Sequence, residues 1–327
     1  MNFKKIFESF KDQDVLIIGD VMIDSYVEGK VNRISPEAPV PILNFAKREN
    51  RLGGAANVAL NIHSMGANPI ICSVIGDDEN AGVFLNLLKD EGITAEGIQR
   101  SNSRMTTVKT RIIGNNQQMI RIDEEDAHFL SQEEEEKFLS RVEKVIETNA
   151  IQAIIFQDYN KGVLSEKVIK KVAEWANTKG IITTVDPKKL NFYSFRDVTL
   201  FKPNLKELKE GMGVEFVDFK KGVLESSGKL REKLNAQIVF TTLSENGVFI
   251  TDENDYFFVP AHVRNIADVS GAGDTVISVA TLCLIADLEI KWVAELANLA
   301  GGMVCERVGV VSIDKETLLN EVMKIYS

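Results

Sequence analysis

Six short stretches, residues 15–18, 70–75, 151–156, 181–185, 199–202 and 238–242, carry their apolar residues in unbroken runs instead of in alternation. A strand with one wet face alternates, so unbroken runs need cover on both faces, which helices on either side of a mostly parallel sheet provide. Helical segments separate most of the runs. The expected fold is therefore α/β, a central mostly parallel sheet flanked by helices. Open sheets of this kind take ligands beyond the carboxyl ends of their strands. That rule singles out Asp20, Asp24, Asp158, Asp186, Lys188, Asn204 and the loop 241–247.

Two segments, about residues 25–48 and 105–123, break the pattern. The second alternates from Thr107 to Ile113 and turns at Gly114-Asn115-Asn116, which is hairpin chemistry. Both excursions are expected to build one small β lid on a single domain spanning residues 1–327. A lid sheet exposes edges and an apolar face that proteins commonly hide by pairing, so a homodimer through the lid is expected. The net charge of -10 speaks against a nucleic-acid surface. No apolar run reaches the length of a signal-peptide core or a membrane helix, and a cytoplasmic location is expected. Cys72, Cys283 and Cys305 form no disulfide framework, and His63, His128 and His262 have no metal-ligand spacing.

Chemistry concentrates in Asp268-Val269-Ser270-Gly271-Ala272-Gly273-Asp274-Thr275, which precedes an apolar helix expected over 275–288. Backbone N–H groups at a helix start are unpaired and carry the positive end of the dipole, so an open Gly271-Ala272-Gly273 turn admits a phosphoryl group. Asp274 would then be placed to take the proton of a hydroxyl attacking phosphorus. Taken alone, the segment fits equally well as an ordinary helix start whose carboxylates favour the dipole. No G-x-x-x-x-G-K-[ST] occurs, and Val276 stands where a dinucleotide fingerprint needs its third glycine. A nucleotide must be held in another way, and an NAD-dependent oxidoreductase is disfavoured.

A second glycine-rich helix start, Gly53-Gly54-Ala55-Ala56-Asn57, pairs a donor and acceptor in Asn57 with the acceptors of Asp24. That mixture suits a sugar's hydroxyls, although close helix packing explains the glycines too. Asn204 and Glu207 stand three apart at a helix start, which also describes a capping box. Their functional reading places them on hydrated Mg²⁺ and nucleotide phosphates, with Leu205 and Lys206 between them. The loop with Thr242, Ser244 and Gly247 and the helix around Asn298 could line a nucleotide.

In this order, Gly19-Asp20 with Asp24, the Gly53-Gly54 turn with Asn57, Asn204 to Glu207, Thr242 to Gly247 and Gly271-Ala272-Gly273-Asp274 resemble the ribokinase/phosphofructokinase-B (PfkB) family of carbohydrate kinases over nearly the whole chain. The resemblance implies a ribokinase-like fold, ATP and Mg²⁺, with Asp274 as base and the N–H groups of Gly271, Ala272 and Gly273 on the moving phosphoryl group. Within the family, Val31-Asn32-Arg33-Ile34-Ser35-Pro36-Glu37-Ala38-Pro39-Val40-Pro41, the run from Gln117 to Asp123, and Asp158-Tyr159-Asn160-Lys161-Gly162 look like the heptose 7-phosphate kinases of ADP-heptose and lipopolysaccharide precursor synthesis. The implied step is transfer to the anomeric hydroxyl of D-glycero-D-manno-heptose 7-phosphate, giving the 1,7-bisphosphate. With no His-x-Gly-His signature in the chain, the expectation is the kinase step alone.

A sugar phosphate needs cations, and Arg33, Lys109, Arg111, Arg121, Lys161 and Lys188 are the candidates at strand ends or on the lid. Asp158 is expected beside them on the substrate side. Ser270 stands where the family usually has Thr, and Val308-Gly309-Val310-Val311 where it often has Gly-Thr, which puts monovalent-cation dependence in question. The alternatives are a kinase of the same family acting on ribose, a fructose phosphate or a nucleoside, and a catalytically silent sugar or nucleotide sensor.

Overall fold

The computed structural model describes residues 1–326. Its strands are β1 (Asp14–Gly19), β2 (Val21–Ile34), β3 (Pro41–Gly54), β4 (Asn68–Gly76), β5 (Ile98–Ser101), β6 (Val108–Gly114), β7 (Gln117–Glu124), β8 (Ile151–Gln157), β9 (Ile182–Asp186), β10 (Leu200–Phe201), β11 (Ile238–Thr242), β12 (Val248–Thr251) and β13 (Tyr256–Val259). The helices are α1 (Phe3–Ser9), α2 (Ala55–Ser64), α3 (Glu79–Asp90), α4 (Gln132–Thr148), α5 (Glu166–Lys179), α6 (Leu205–Met212), α7 (Phe219–Leu234), α8 (Ala272–Ile285), α9 (Ile290–Val304) and α10 (Lys315–Tyr326).

Nine strands form the central sheet in the order β13-β12-β11-β10-β9-β8-β1-β4-β5. Pairing is parallel from β5 to β11 and antiparallel at β11-β12 and β12-β13. Strand β1 shows why the apolar runs are unbroken. Val15 and Ile17 join the core made with α2, α8 and α9, while Leu16 and Ile18 join the opposite core made with α4, α5 and α7. Burying a Leu or Ile side chain is worth about 1.5–3 kcal/mol, so both faces of the strand contribute to the fold.

A second sheet, order β3-β2-β6-β7, is the lid. Its strands run farther than the expected 25–48, because β2 and β3 stay paired from Val21–Gly54 out to Ile34–Pro41. The β6-β7 hairpin turns on Asn115 and Asn116, both at positive φ (52° and 64°), as a two-residue primed turn requires. Register puts Asp24, Tyr26, Lys109, Arg111, Arg121 and Asp123 on one lid face. Val27, Phe45, Ile112, Ile120 and Ile122 occupy the other. Among the described residues, no helix is long and apolar enough to cross a membrane.

Candidate active site

Helix α8 starts three residues earlier than the apolar run suggests, at Ala272, with Gly271 as its N-cap at φ 80°. That left-handed backbone favours glycine, and a Cβ there would also lie 2.9 Å from Asn57 Nδ2. The early start puts Asp274 inside the first turn, where its side chain is 4% exposed. One of the three N–H groups expected for a phosphoryl group, that of Ala272, already donates to Val269 O at 3.3 Å.

The Asp274 carboxylate is the meeting point of three elements. Asn57 of α2 donates to Oδ2 at 2.7 Å. Gln157, the last residue of β8, donates to Oδ1 at 3.0 Å, and Tyr159 donates its hydroxyl to the same oxygen at 2.8 Å. Burial pushes the carboxyl up to about 6, against the bond from Asn57 that favours the charged form. The carbonyl oxygens of both amides, Asn57 Oδ1 and Gln157 Oε1, are buried without a hydrogen-bond partner. Buried acceptors are rarely left so, and a hydroxyl-rich ligand beside Asp274 would satisfy both.

Cations stand close by. Lys202 forms a buried ion pair with Asp186 at 3.0 Å, and a Cβ on Gly273 would sit 3.6 Å and 3.7 Å from their charged atoms. Lys188 pairs with Glu207 at 2.6 Å and lies 5.7 Å from the centre of the Tyr159 ring. Burial works against its charge, but Asp186 and Glu207 outweigh that and hold its ammonium above the ordinary lysine range.

On the lid side, Asp24 is buried and ion-paired with Arg111. Gly53 leaves room for it, since a Cβ would fall 2.2 Å from Asp24 Oδ2. Gly54 adopts φ 60° against the Asp20 carbonyl. Lys109 from the lid and Lys161 from the body converge on one carboxylate, Glu125, at 2.8 Å and 2.6 Å. Arg51 and Arg111 both lie over the Tyr26 ring, at 5.0 Å and 5.3 Å from its centre, and the Tyr26 hydroxyl accepts from Val310 N, so the lid is tied to the 308–310 loop.

The nucleotide-side residues also gather. Asn204 and Glu207 form a full capping box on α6, with Leu205 and Lys206 in its first turn. Glu207 spends one oxygen on Asn204 N and the other on Lys188. A parallel bridge joins Asn204 to Thr242. Ser244 (φ 54°) and Gly247 (φ 85°) shape the turn after β11, where a Cβ on Gly247 would strike Val259 O at 2.1 Å. Asn298 donates to Pro260 O at 2.9 Å. Among the described residues, no three His, Cys, Asp or Glu side chains cluster as a metal site.

Three substrate-side expectations change. Asp158 is 1% exposed and accepts from Asn160 N at 2.8 Å and Asn191 Nδ2 at 3.1 Å, contacts that fix a loop. Arg33 is exposed near the far end of β2, nine residues past Asp24, or roughly 30 Å at the rise of a strand. It does not reach the Asp274 site of its own chain. Arg121 shares the inner lid face but is half-exposed and held by both oxygens of Asp123 at 2.8 Å and 2.9 Å. Conversely, Gln157, Tyr159, Glu125 and Lys202 take places that sequence reading did not assign, Lys202 beside Asp186, which the strand-end rule had singled out. The signal for Gln157 was its position, a polar residue at the carboxyl end of an apolar strand.

Residues 12–317 match the pfkB family carbohydrate kinase model. The chain belongs to that family. It is an ATP-dependent carbohydrate kinase. The kinase is 39% identical over 307 residues to the bifunctional protein HldE of Methylobacillus flagellatus, covering 94% of this chain and 62% of that protein. It is 35% identical to the HldE of Helicobacter pylori strain J99, covering 90% and 63%. The chain thus spans less than two thirds of these relatives. In fold it superimposes on phosphofructokinase-2 from Escherichia coli, solved with potassium, at TM-score 0.78 and 18% identity, covering 95% of this chain and 99% of that one. Arabidopsis thaliana ribokinase complexed with ribose and ATP gives TM-score 0.73 at 14% identity, covering 96% and 99%.

Proposed function

We propose that the kinase transfers the γ-phosphoryl group of ATP to the anomeric hydroxyl of D-glycero-D-manno-heptose 7-phosphate, giving the 1,7-bisphosphate on the route to ADP-heptose and the lipopolysaccharide core. The observation that carries the reaction type is the buried Asp274, beside an open helix start and between two unpaired amide oxygens. The acceptor hydroxyl passes its proton to Asp274, its oxygen bonds to the γ-phosphorus, and the bond from phosphorus to the ADP oxygen breaks. Holding the acceptor in line and stabilising charge on the moving group do the remaining work.

Support for a phosphorylated sugar comes from Lys109 and Lys161, one from the lid and one from the body, brought together on Glu125. A dianionic phosphate suits two such cations, and resemblance to the HldE proteins supports heptose as its carrier. Asp24 and Asn57 would hold sugar hydroxyls, and Lys202 would face the polyphosphate together with Lys188, which the sequence reading had given to the sugar's phosphate. Mg²⁺ would neutralise charge between the phosphates, and it takes few protein ligands, so Asn204 and Glu207 would act through its waters. The reaction is placed in the cytoplasm, where ATP is available.

³¹P NMR of the protein with ATP, Mg²⁺ and a panel of acceptors tests the assignment. An anomeric phosphate signal is expected with the heptose 7-phosphate, and none of comparable rate with ribose or fructose 6-phosphate. Preferred turnover of another acceptor would keep the mechanism and discard the substrate, while ATP binding without turnover on any acceptor would favour a sensor.

A further inference from the structure

Resting on Asp274 as the base, we propose that Gln157 and Tyr159 are positioning residues that saturate Asp274 Oδ1, so that Oδ2 alone takes the acceptor's proton. A carboxylate oxygen offers two lone pairs. Oδ1 receives two donors, Gln157 Nε2 and the Tyr159 hydroxyl, whereas Oδ2 receives only Asn57 and keeps one lone pair for the acceptor.

Both donors are fixed from behind. The backbone of Gln157 sits against Gly19 so closely that a Cβ there would lie 1.9 Å from Gln157 O, and its amide also reaches Asp186 Oδ2 at 3.3 Å. The loop bearing Tyr159 is gripped by the buried Asp20 carboxylate, which accepts the N–H groups of Tyr159, Lys161 and Val163 at 2.9, 3.0 and 3.1 Å. Burial, with Asp274 and Asp186 nearby, pushes the Tyr159 phenol well above its ordinary value, so it stays a donor throughout the working range. The other charges facing Asp274 are Asp186, which disfavours its ionisation, and Lys202 and Lys188, which favour it.

The pH profile of kcat reads this arrangement. Losing a donor to the charged carboxylate raises its pKa, so the acid limb for Tyr159→Phe moves to higher pH by about one unit, the worth of one hydrogen bond. Gln157→Glu, which brings a second carboxyl to the same oxygen, moves it farther in the same direction. Measured alongside, Asp274→Asn separates the two claims. If that variant keeps turnover, the base assignment falls and the clamp with it. If it is dead while both folded variants retain the wild-type acid limb, the clamp alone is overturned.

Discussion

At Gly53 a single methyl group would collide with the carboxylate of Asp24 at 2.2 Å and with Met22 Cγ at 2.9 Å. Both atoms belong to side chains of β2, so the Asp24 carboxylate must swing away and its pair with Arg111 must loosen. Overpacking of this kind costs about 1–3 kcal/mol, within what a chain of this size tolerates. Gly53→Ala is therefore expected to stay folded by circular dichroism while KM for the acceptor rises about tenfold or more and KM for ATP holds. An unchanged acceptor KM would remove Asp24 from the sugar subsite. The residues legible in the sequence were those next to glycine turns, Asp274 and Asn57, because backbone openness and a polar side chain together are unusual at a helix start. Gln157 and Tyr159 were not legible in their roles, since their meaning depends on β8 ending beside α8. Asp158 misled because a strand-end carboxylate can equally tie its own loop, and Arg33 because sequence gives no measure of how far β2 extends.

Unbroken apolar runs identified β1, β4, β8, β9, β10 and β11, whose two faces are both buried. The short β5 and the β12-β13 hairpin escaped that criterion, being four-residue strands, β5 and β13 at the sheet's edges, with too few positions to show a pattern. The lid was readable as an interruption, and its Asn115-Asn116 turn as a hairpin, but its full length was not. On the lid's outer face Phe45, Ile120 and Ile122 are 65%, 58% and 49% exposed, which is large for apolar side chains gathered on one sheet. A second copy of the lid would cover them, and the homodimer proposed on this ground is testable by sedimentation. The wild type is expected to sediment as a dimer at micromolar concentration and Ile120→Asp as a monomer. A monomeric wild type would rule out the lid pairing.

Over the whole molecule, two excursions from the α/β fold bring lid charges to the carboxyl ends of the central strands, where α2 and α8 also begin. The site is thus assembled from distant segments, Asn57 and Asp274 being hydrogen-bonded across 217 residues. Closure of the lid over such a site would exclude water from the phosphoryl group and limit its loss by hydrolysis. The central claim is that Asp274 is the proton acceptor of this transfer. Its direct test is kcat of Asp274→Asn with ATP, Mg²⁺ and heptose 7-phosphate, in protein shown to be folded. Removing one such group commonly costs about two to three decades of rate, and a loss of that size or greater is expected here. A folded Asp274→Asn protein turning over at the wild-type rate would contradict the account.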